Sequence, residues 1–427
     1  MATAETDRPP QYQEPLLRVA GPAPAPPRRL WRRLLPLAVA LVTAVSGGLV
    51  LVTEQAALPF QRIVTIEAKM ASKSDYFDDP EVRRLLMRHG IRVHITRMGS
   101  REIAHQDYDD YDVVFPSGQP AADSITRRRA DEGRPVTAYR PFVSPIVLGT
   151  YREYAETLKD AGIATPLPGA AADGRTLYYR LDMRRFLALT AAGRRWTDLH
   201  IERHGLHNDN RVLAQTSDIC EANSAGTYLG LVSYVDHTVG EHRAKGDIPQ
   251  DLAEAEEFGR DIRALLNDQG MPSSEKNETY VSAEGKSISP IAVIYEHQFL
   301  AHQLQAKASS GRVDASRVLL YPSARFFTEP QLIALTPDGE RLGELISHDE
   351  ALRERARELG FRVRDDGGGA DGTLDDHLRA RHLPVPMLSA DDTKAVLPRL
   401  DLFERMVEVV GDCDPLPKAS TAGGETP

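Results

Sequence analysis

The chain has 427 residues, room for two or three domains of ordinary size, and 41% apolar with 27% charged residues excludes wholesale disorder. Its formal net charge of −10 argues against a nucleic-acid partner, which would call for a basic stripe.

Residues 1–30 are rich in Pro and Ala (GPAPAPP at 21–27) and lack apolar periodicity, so a disordered tail is expected there. Arg28, Arg29, Arg32 and Arg33 then precede a run from Leu34 to Thr53 with no charge. Twenty residues at about 1.5 Å each cross roughly 30 Å of hydrocarbon, and Trp31 suits the interfacial belt. The sequence therefore predicts a transmembrane helix over 31–53, with the N-terminus cytoplasmic and the main domain extracellular by the positive-inside rule. A cleaved signal peptide, cut near Ala56-Ala57, is the alternative, although its apolar run would be longer than usual.

Ile63 to Ala68 alternates as a strand and leads into the polar loop Ser72-Lys73-Ser74. Asp79 caps a helix whose first residue is Pro80, and Val82, Leu85 and Leu86 recur on one face. Gly90 ends it, and Ile91, Val93 and Ile95 read as the next strand, so this strand-helix-strand unit implies a parallel sheet. Asp112 to Phe115 is a short strand ending in Pro116-Ser117-Gly118. Val212 to Thr216 patterns as a strand before the turn Ser217-Asp218, and an apolar helix follows with Asn223 or Ser224 at its N-cap. Residues 249–269 form an amphipathic helix through Leu252, Phe258, Ile262 and Leu265. Leu352, Ala356 and Leu359 share another helix face, which Gly360 ends before Phe361-Arg362-Val363. Alternating strands and helices indicate an α/β fold. The stretch 365–372 (DDGGGADG) reads as a surface loop, and 413–427 as a disordered tail.

Five polar loops end strands, at 71–74, 99–101, 116–118, 143–145 and 215–218. In open α/β sheets ligands gather at such strand ends, where small polar residues and free amides converge. The candidate ligand-binding residues are Ser72, Lys73, Ser117, Ser144, Ser217, Asn223, Ser224 and Ala225. The small residues from Ser224 to Gly226 would leave the first amides of their helix open to an anionic or polar group. Plain turn chemistry is the competing reading of each serine.

His200, Glu202, His204 and His207 (HIERHGLH) lack the metalloprotease order, and Gly205 breaks the helix, so a solvated helix end is expected rather than a metal site. Asp107 to Asp112 (DYDDYD) lacks the Gly and terminal Glu of a calcium loop. No nucleophile elbow, P-loop or dinucleotide fingerprint occurs, so neither an enzyme nor a cofactor is expected. Cys220 and Cys413 would form a disulfide only if the fold brings their Cα atoms within reach.

The run from TSD at 216–218 through NSA at 223–225 to SYV at 233–235 resembles the second-lobe helix of type 2 extracellular solute-binding proteins. ASKSDYFDDPEV (71–82), MGSREIA (98–104), YDVVFPSGQPAA (111–122), AYRPFVSPIVLGTY (138–151), ISPIAVIYEHQFLA (288–301) and VLLYPSARFFTEPQLIAL (318–335) are similar to the same family in the same order. The resemblance implies a two-lobed, type 2 periplasmic-binding-protein-like fold over 60–412, preceded by the single transmembrane helix. Lobe 1 would comprise about 60–140 and 322–412, and lobe 2 about 141–321, with crossovers near 138–145 and 319–327. A small solute would be captured between the lobes for a transporter or an envelope partner; a scaffold or sensor that keeps the fold without small-molecule binding is the alternative. One departure bears on the ligand. Many relatives open the first loop with Gly-Ser-Glu-Lys, where this chain reads Ala71-Ser72-Lys73-Ser74, keeping a cation and losing the carboxylate.

Overall fold

A computed structural model describes residues 62–237, 249–267, 276–364, 372–386 and 393–416. The expected tail 1–30, the expected transmembrane helix 31–53 and most of the loop at 365–372 lie outside the described residues. Among the described residues no helix is long and apolar enough to cross a membrane.

The first strand, Val64–Met70, pairs in parallel with Ile91–Arg97 on one side and with Val113–Phe115 on the other. Its crossover helix, Pro80–Arg88, starts where the sequence places it: Asp79 Oδ1 accepts from the amides of Glu81 and Val82, both at 3.0 Å. Gly90, at φ +71°, turns the chain back into the sheet, a left-handed conformation that favours glycine. Leu332–Ala334 and Thr137–Tyr139 complete this sheet as antiparallel strands. Val82, Leu86, Leu342, Ile346 and Leu352 cover one face, and Ile103, Ala122 and Ile125 cover the other.

A second sheet runs Ile291–Tyr295, Phe142–Tyr151, Arg317–Pro322, Tyr178–Leu181 and Ala164–Pro166. Phe142–Tyr151 is buried along its whole length, antiparallel to both neighbours. The chain passes from the first sheet to the second just before Phe142 and returns after Pro322. The two passages pair with each other, Phe327 opposite Pro145 and Thr328 opposite Ser144. Each sheet carries its own apolar core, so this part of the chain is a mixed α/β protein of two lobes.

Three expectations differ. Residues 143–145, expected as a polar loop ending a strand, lie inside the strand Phe142–Tyr151, whose backbone the neighbouring strands take up. Val212 to Thr216 is not a strand; only Gln215 bridges to Ala292, taking the amide of Val293 and giving its own to Ile291. The division of the chain between lobes also differs. Residues after 372 were expected in lobe 1, but Leu374 and Leu378, then Leu402, Phe403, Met406, Val407 and Val410, join the core of the second lobe. The helix Leu400–Gly411 lays that apolar face on the helix Leu252–Asn267, where Gly259 lets the backbones approach; a Cβ there would sit 3.1 Å from Val409. Apolar periodicity says that a helix buries a face, and the shape of the available groove decides where.

The expected tail beginning at 413 is structured as far as 416. Cys413 is joined to Cys220 by a disulfide with a Cα separation of 5.4 Å. Beyond it, Leu416 packs against the lobe 1 core beside Ile103 and Ala104.

Candidate functional site

A cleft of about 440 Å³ opens between the lobes. Lobe 1 supplies the loop after its first strand (Ala71, Ser72, Ser74, Asp75), the loop after its second (Arg97 to Ser100, with Glu102) and Ser117 after its third. Lobe 2 supplies Glu221 to Ser224, Tyr295 and Gln298. These are strand ends and one helix start, the places where an open α/β sheet leaves backbone groups unused.

The helix Asn223–His237 begins one residue earlier than its sequence suggests. Ala222 takes the N-cap position, its carbonyl accepting from Gly226 at 3.4 Å. Asn223 is therefore free of capping, and its side-chain amide donates to the Tyr295 hydroxyl at 3.0 Å and to Thr227 at 3.1 Å. Among the described residues none accepts from the backbone amides of Asn223, Ser224 or Ala225, so the positive end of the helix faces the cleft.

Tyr295 is the hub of the site. On the lobe 1 side, the hydroxyls of Ser72 and Ser117 are 2.7 Å apart, and the Ser117 amide donates to Ser100 at 2.9 Å. Burial pushes the Tyr295 hydroxyl up to about 12, so it stays protonated at neutral pH. Tyr295 ends a lobe 2 strand and caps the next helix, where its amide donates to Gln298 at 3.0 Å. No polar turn marks this strand-to-helix junction, so residue chemistry alone gave Tyr295 and Gln298 no signal beyond the apolar run that ends there, although both fall in the family-like stretch 288–301.

Of the eight expected residues, four reach the cleft lining and four do not. Ser72, Ser117, Asn223 and Ser224 line the cleft. Ala225 is buried just behind it, as the third residue of the helix. Lys73 does not face the cleft: it is fully buried, its Nζ lies 3.6 Å from the centre of the Tyr295 ring, and among the described residues it has no hydrogen-bond partner. Burial lowers its ammonium to about 7. Ser144 is buried in the pairing of the two interlobe passages, where its carbonyl accepts from Thr328 at 2.9 Å. Ser217 is buried outside the cleft lining. A serine in a loop signals a turn, and only the tertiary packing says which way that turn faces.

The rim is acidic. Asp75, Glu102 and Glu221 line it, against Arg97, which pairs with Asp78. Burial, then the charges of Asp218 and Glu102, raise the Glu221 carboxyl. Glu102 is partly engaged, accepting from the Gly99 amide at 3.2 Å.

Elsewhere, the histidine cluster forms two 3₁₀ turns rather than a helix end; His200 is left-handed and His204 pairs with Asp160 at 3.1 Å. In the acidic run, Asp112 accepts from Glu67 and Thr336, and Asp109 pairs with Arg129 and Arg134. Among the described residues no group of three or more His, Cys, Asp or Glu could hold a metal ion.

No protein-family model matches the chain, and no curated protein does. Among solved structures it is similar to iron-bound HitA from Pseudomonas aeruginosa, at 13% identity and a TM-score of 0.46, covering 82% of this chain and 99% of that one. It is also similar to the sulfate-binding protein SubI from Mycobacterium tuberculosis H37Rv, at 14% identity and a TM-score of 0.39, covering 76% of this chain and 92% of that one. A third is the periplasmic molybdate-binding protein of Azotobacter vinelandii, at 10% identity and a TM-score of 0.39, covering 70% of this chain and all, 100%, of the other.

Proposed function

We propose that the protein binds a small polar solute in the cleft between its lobes. One observation carries this reading: a cleft of about 440 Å³ in which the unused amides at the start of a 15-residue helix meet serine hydroxyls from the opposite lobe. The helix start favours an anionic group, and the acidic rim favours a cationic or neutral one, so an isolated multivalent anion fits less well than a solute carrying both kinds of group. Pairing of the passages at Ser144–Pro145 and Phe327–Thr328 supplies a narrow connection about which the lobes can close.

The uncharged run within 31–53, with its arginines on the N-terminal side, supports a single-pass anchor that holds the cleft outside the cell membrane, near a transporter or an envelope partner. A thermal-shift screen of the full chain tests the binding reading. It starts with sulfate, molybdate and ferric citrate, and continues with amino acids, short peptides and sugars. A solute at 100 times its dissociation constant stabilises the folded state by about 2.7 kcal/mol. Ser224→Asp, which sets a carboxylate against the helix start, should abolish the shift for any anionic solute; an undiminished shift would remove Ser224 from the site.

Direct contacts between the lobes favour a second reading, a scaffold or sensor without a solute. A Cβ on Gly118 would lie 2.0 Å from Asn223 Oδ1, and one on Gly99 would lie 2.4 Å from the Glu221 carbonyl oxygen. Flat curves from folded protein across the whole screen would select that reading.

A further inference from the structure

We propose that Arg101 is the positioning residue that holds the cleft shut, and that the Cys220–Cys413 disulfide builds the socket receiving it, so that closure depends on the redox state of that pair. Its consequence for solute capture rests on the binding reading above; the clasp itself does not.

Arg101 belongs to the short helix Ser100–His105 of lobe 1 and is 6% exposed. Besides Nη1, which lies 3.0 Å from His105 Nε2 on its own helix, its polar groups meet two distant parts of lobe 2. The backbone amide donates to the Glu221 carbonyl at 2.9 Å, Nη2 donates to the Asp414 carbonyl at 2.8 Å, and Nε donates to Glu404 at 3.1 Å. Glu221 directly follows Cys220, and Asp414 directly follows Cys413. The two carbonyls that grip Arg101 are thus the immediate neighbours of the two bonded cysteines, although 193 residues separate the cysteines in sequence.

The C-terminal segment past the disulfide behaves as a strap. The helix Leu400–Gly411 ends at Asp412, whose φ of 58° turns the chain out of the helix. Cys413 is then fixed to lobe 2 by its disulfide, Asp414 reaches Arg101, and Leu416 lies on the lobe 1 core. Gly99, two residues before Arg101, allows this approach, because any side chain there would meet the Glu221 backbone. A guanidinium held by two lobe 2 acceptors, the Glu404 carboxylate and the Asp414 carbonyl, beside a backbone amide held by the Glu221 carbonyl is strongly oriented, and it loses that orientation when the acceptors move independently.

Reduction by a dithiol releases the strap. A reductant thiolate attacks one cysteine sulfur, the S–S bond breaks, and the reductant's second thiol displaces the mixed disulfide. Two electrons and two protons pass to the protein as two thiols, and the reductant leaves as its cyclic disulfide.

Hydrogen exchange on the full-length protein with no solute added tests this. In oxidised protein the amide of residue 101 should exchange slowly. Dithiothreitol, the pair C220S/C413S, or Arg101→Gln should each speed exchange over 99–105 and 219–224 by about tenfold, with protection of the strand Phe142–Tyr151 unchanged. The triple variant R101Q/C220S/C413S should be no faster than R101Q, because both changes undo one clasp. Unchanged protection of residue 101 after reduction, or additive effects in the triple variant, would overturn the proposal. Should the cysteine variant lose core protection as well, R101Q in oxidised protein decides: slow exchange persisting over 219–224 overturns it. A failed solute screen beside an intact clasp would count against the binding reading alone.

Discussion

Replacing Lys73 with methionine should stabilise this protein, by an amount that depends on pH. Lys73 is fully buried over the Tyr295 ring, and among the described residues its Nζ has no hydrogen-bond partner. Burial takes its ammonium from an ordinary 10.5 to about 7. Each pKa unit is worth about 1.4 kcal/mol, so keeping the charge in the fold costs roughly 5 kcal/mol, of which attraction to the ring returns about 1–2 kcal/mol. The folded value lies below the unfolded one, so between pH 7 and 10.5 the unfolded chain binds more protons and wild-type stability rises with pH through that window. Below pH 7 the full penalty applies, and above 10.5 it vanishes. Lys73→Met, similar in length and apolar, should therefore gain roughly 3 kcal/mol at pH 6 and less than about 1 kcal/mol at pH 10. Urea unfolding of both proteins at pH 6, 8 and 10 reads the difference as a shift in midpoint at constant slope. A difference that does not change with pH, or a variant less stable at pH 6, would refute the reasoning, because it would mean that the ammonium is solvated or paired in the fold.

Three further outcomes follow from single contacts. Gly118→Ala should displace the Asn223 side chain from Tyr295 and hold the lobes apart, since the new Cβ would fall 2.0 Å from Asn223 Oδ1; a larger radius of gyration in solution scattering should accompany weaker solute binding, and an unchanged radius would show that the contact does not limit closure. Glu296→Gln should cost about 3–5 kcal/mol, because Glu296 is 1% exposed and takes both Arg362 at 2.5 and 3.1 Å and the Tyr321 hydroxyl at 2.7 Å; a loss below about 1 kcal/mol in urea unfolding would contradict that. His297→Phe should be neutral or stabilising by about 1 kcal/mol, since among the described residues both ring nitrogens lack partners and the ring already stacks on Phe361 at 4.1 Å. A melting temperature lowered by several degrees would instead show that the imidazole makes a polar contact.

Signals that act within a few residues were legible in the chain itself. Asp79-Pro80 starts a helix and Gly90 ends it, the apolar spacing from Leu252 to Ile262 marks another, and Ser72, Ser117, Asn223 and Ser224 stand at strand ends or a helix start that line the cleft. Each rests on backbone capping, a left-handed turn or a helical repeat, all of which a short stretch specifies alone. The meeting of these groups is of another kind. Ser72 reaches Ser117 across 45 residues and Asn223 reaches Tyr295 across 72, distances over which no local pattern operates. Lys73 turns inward between two serines that line the cleft, Ser144 is taken up within a buried strand, and Ser217, in a loop much like those that reach the cleft, is buried away from it. The helix Leu400–Gly411 advertises an apolar face without saying that lobe 2 will take it. Local chemistry determined the parts, and close packing of two cores determined which parts face one another, because a side chain's direction is settled by the neighbours that exclude it from everywhere else.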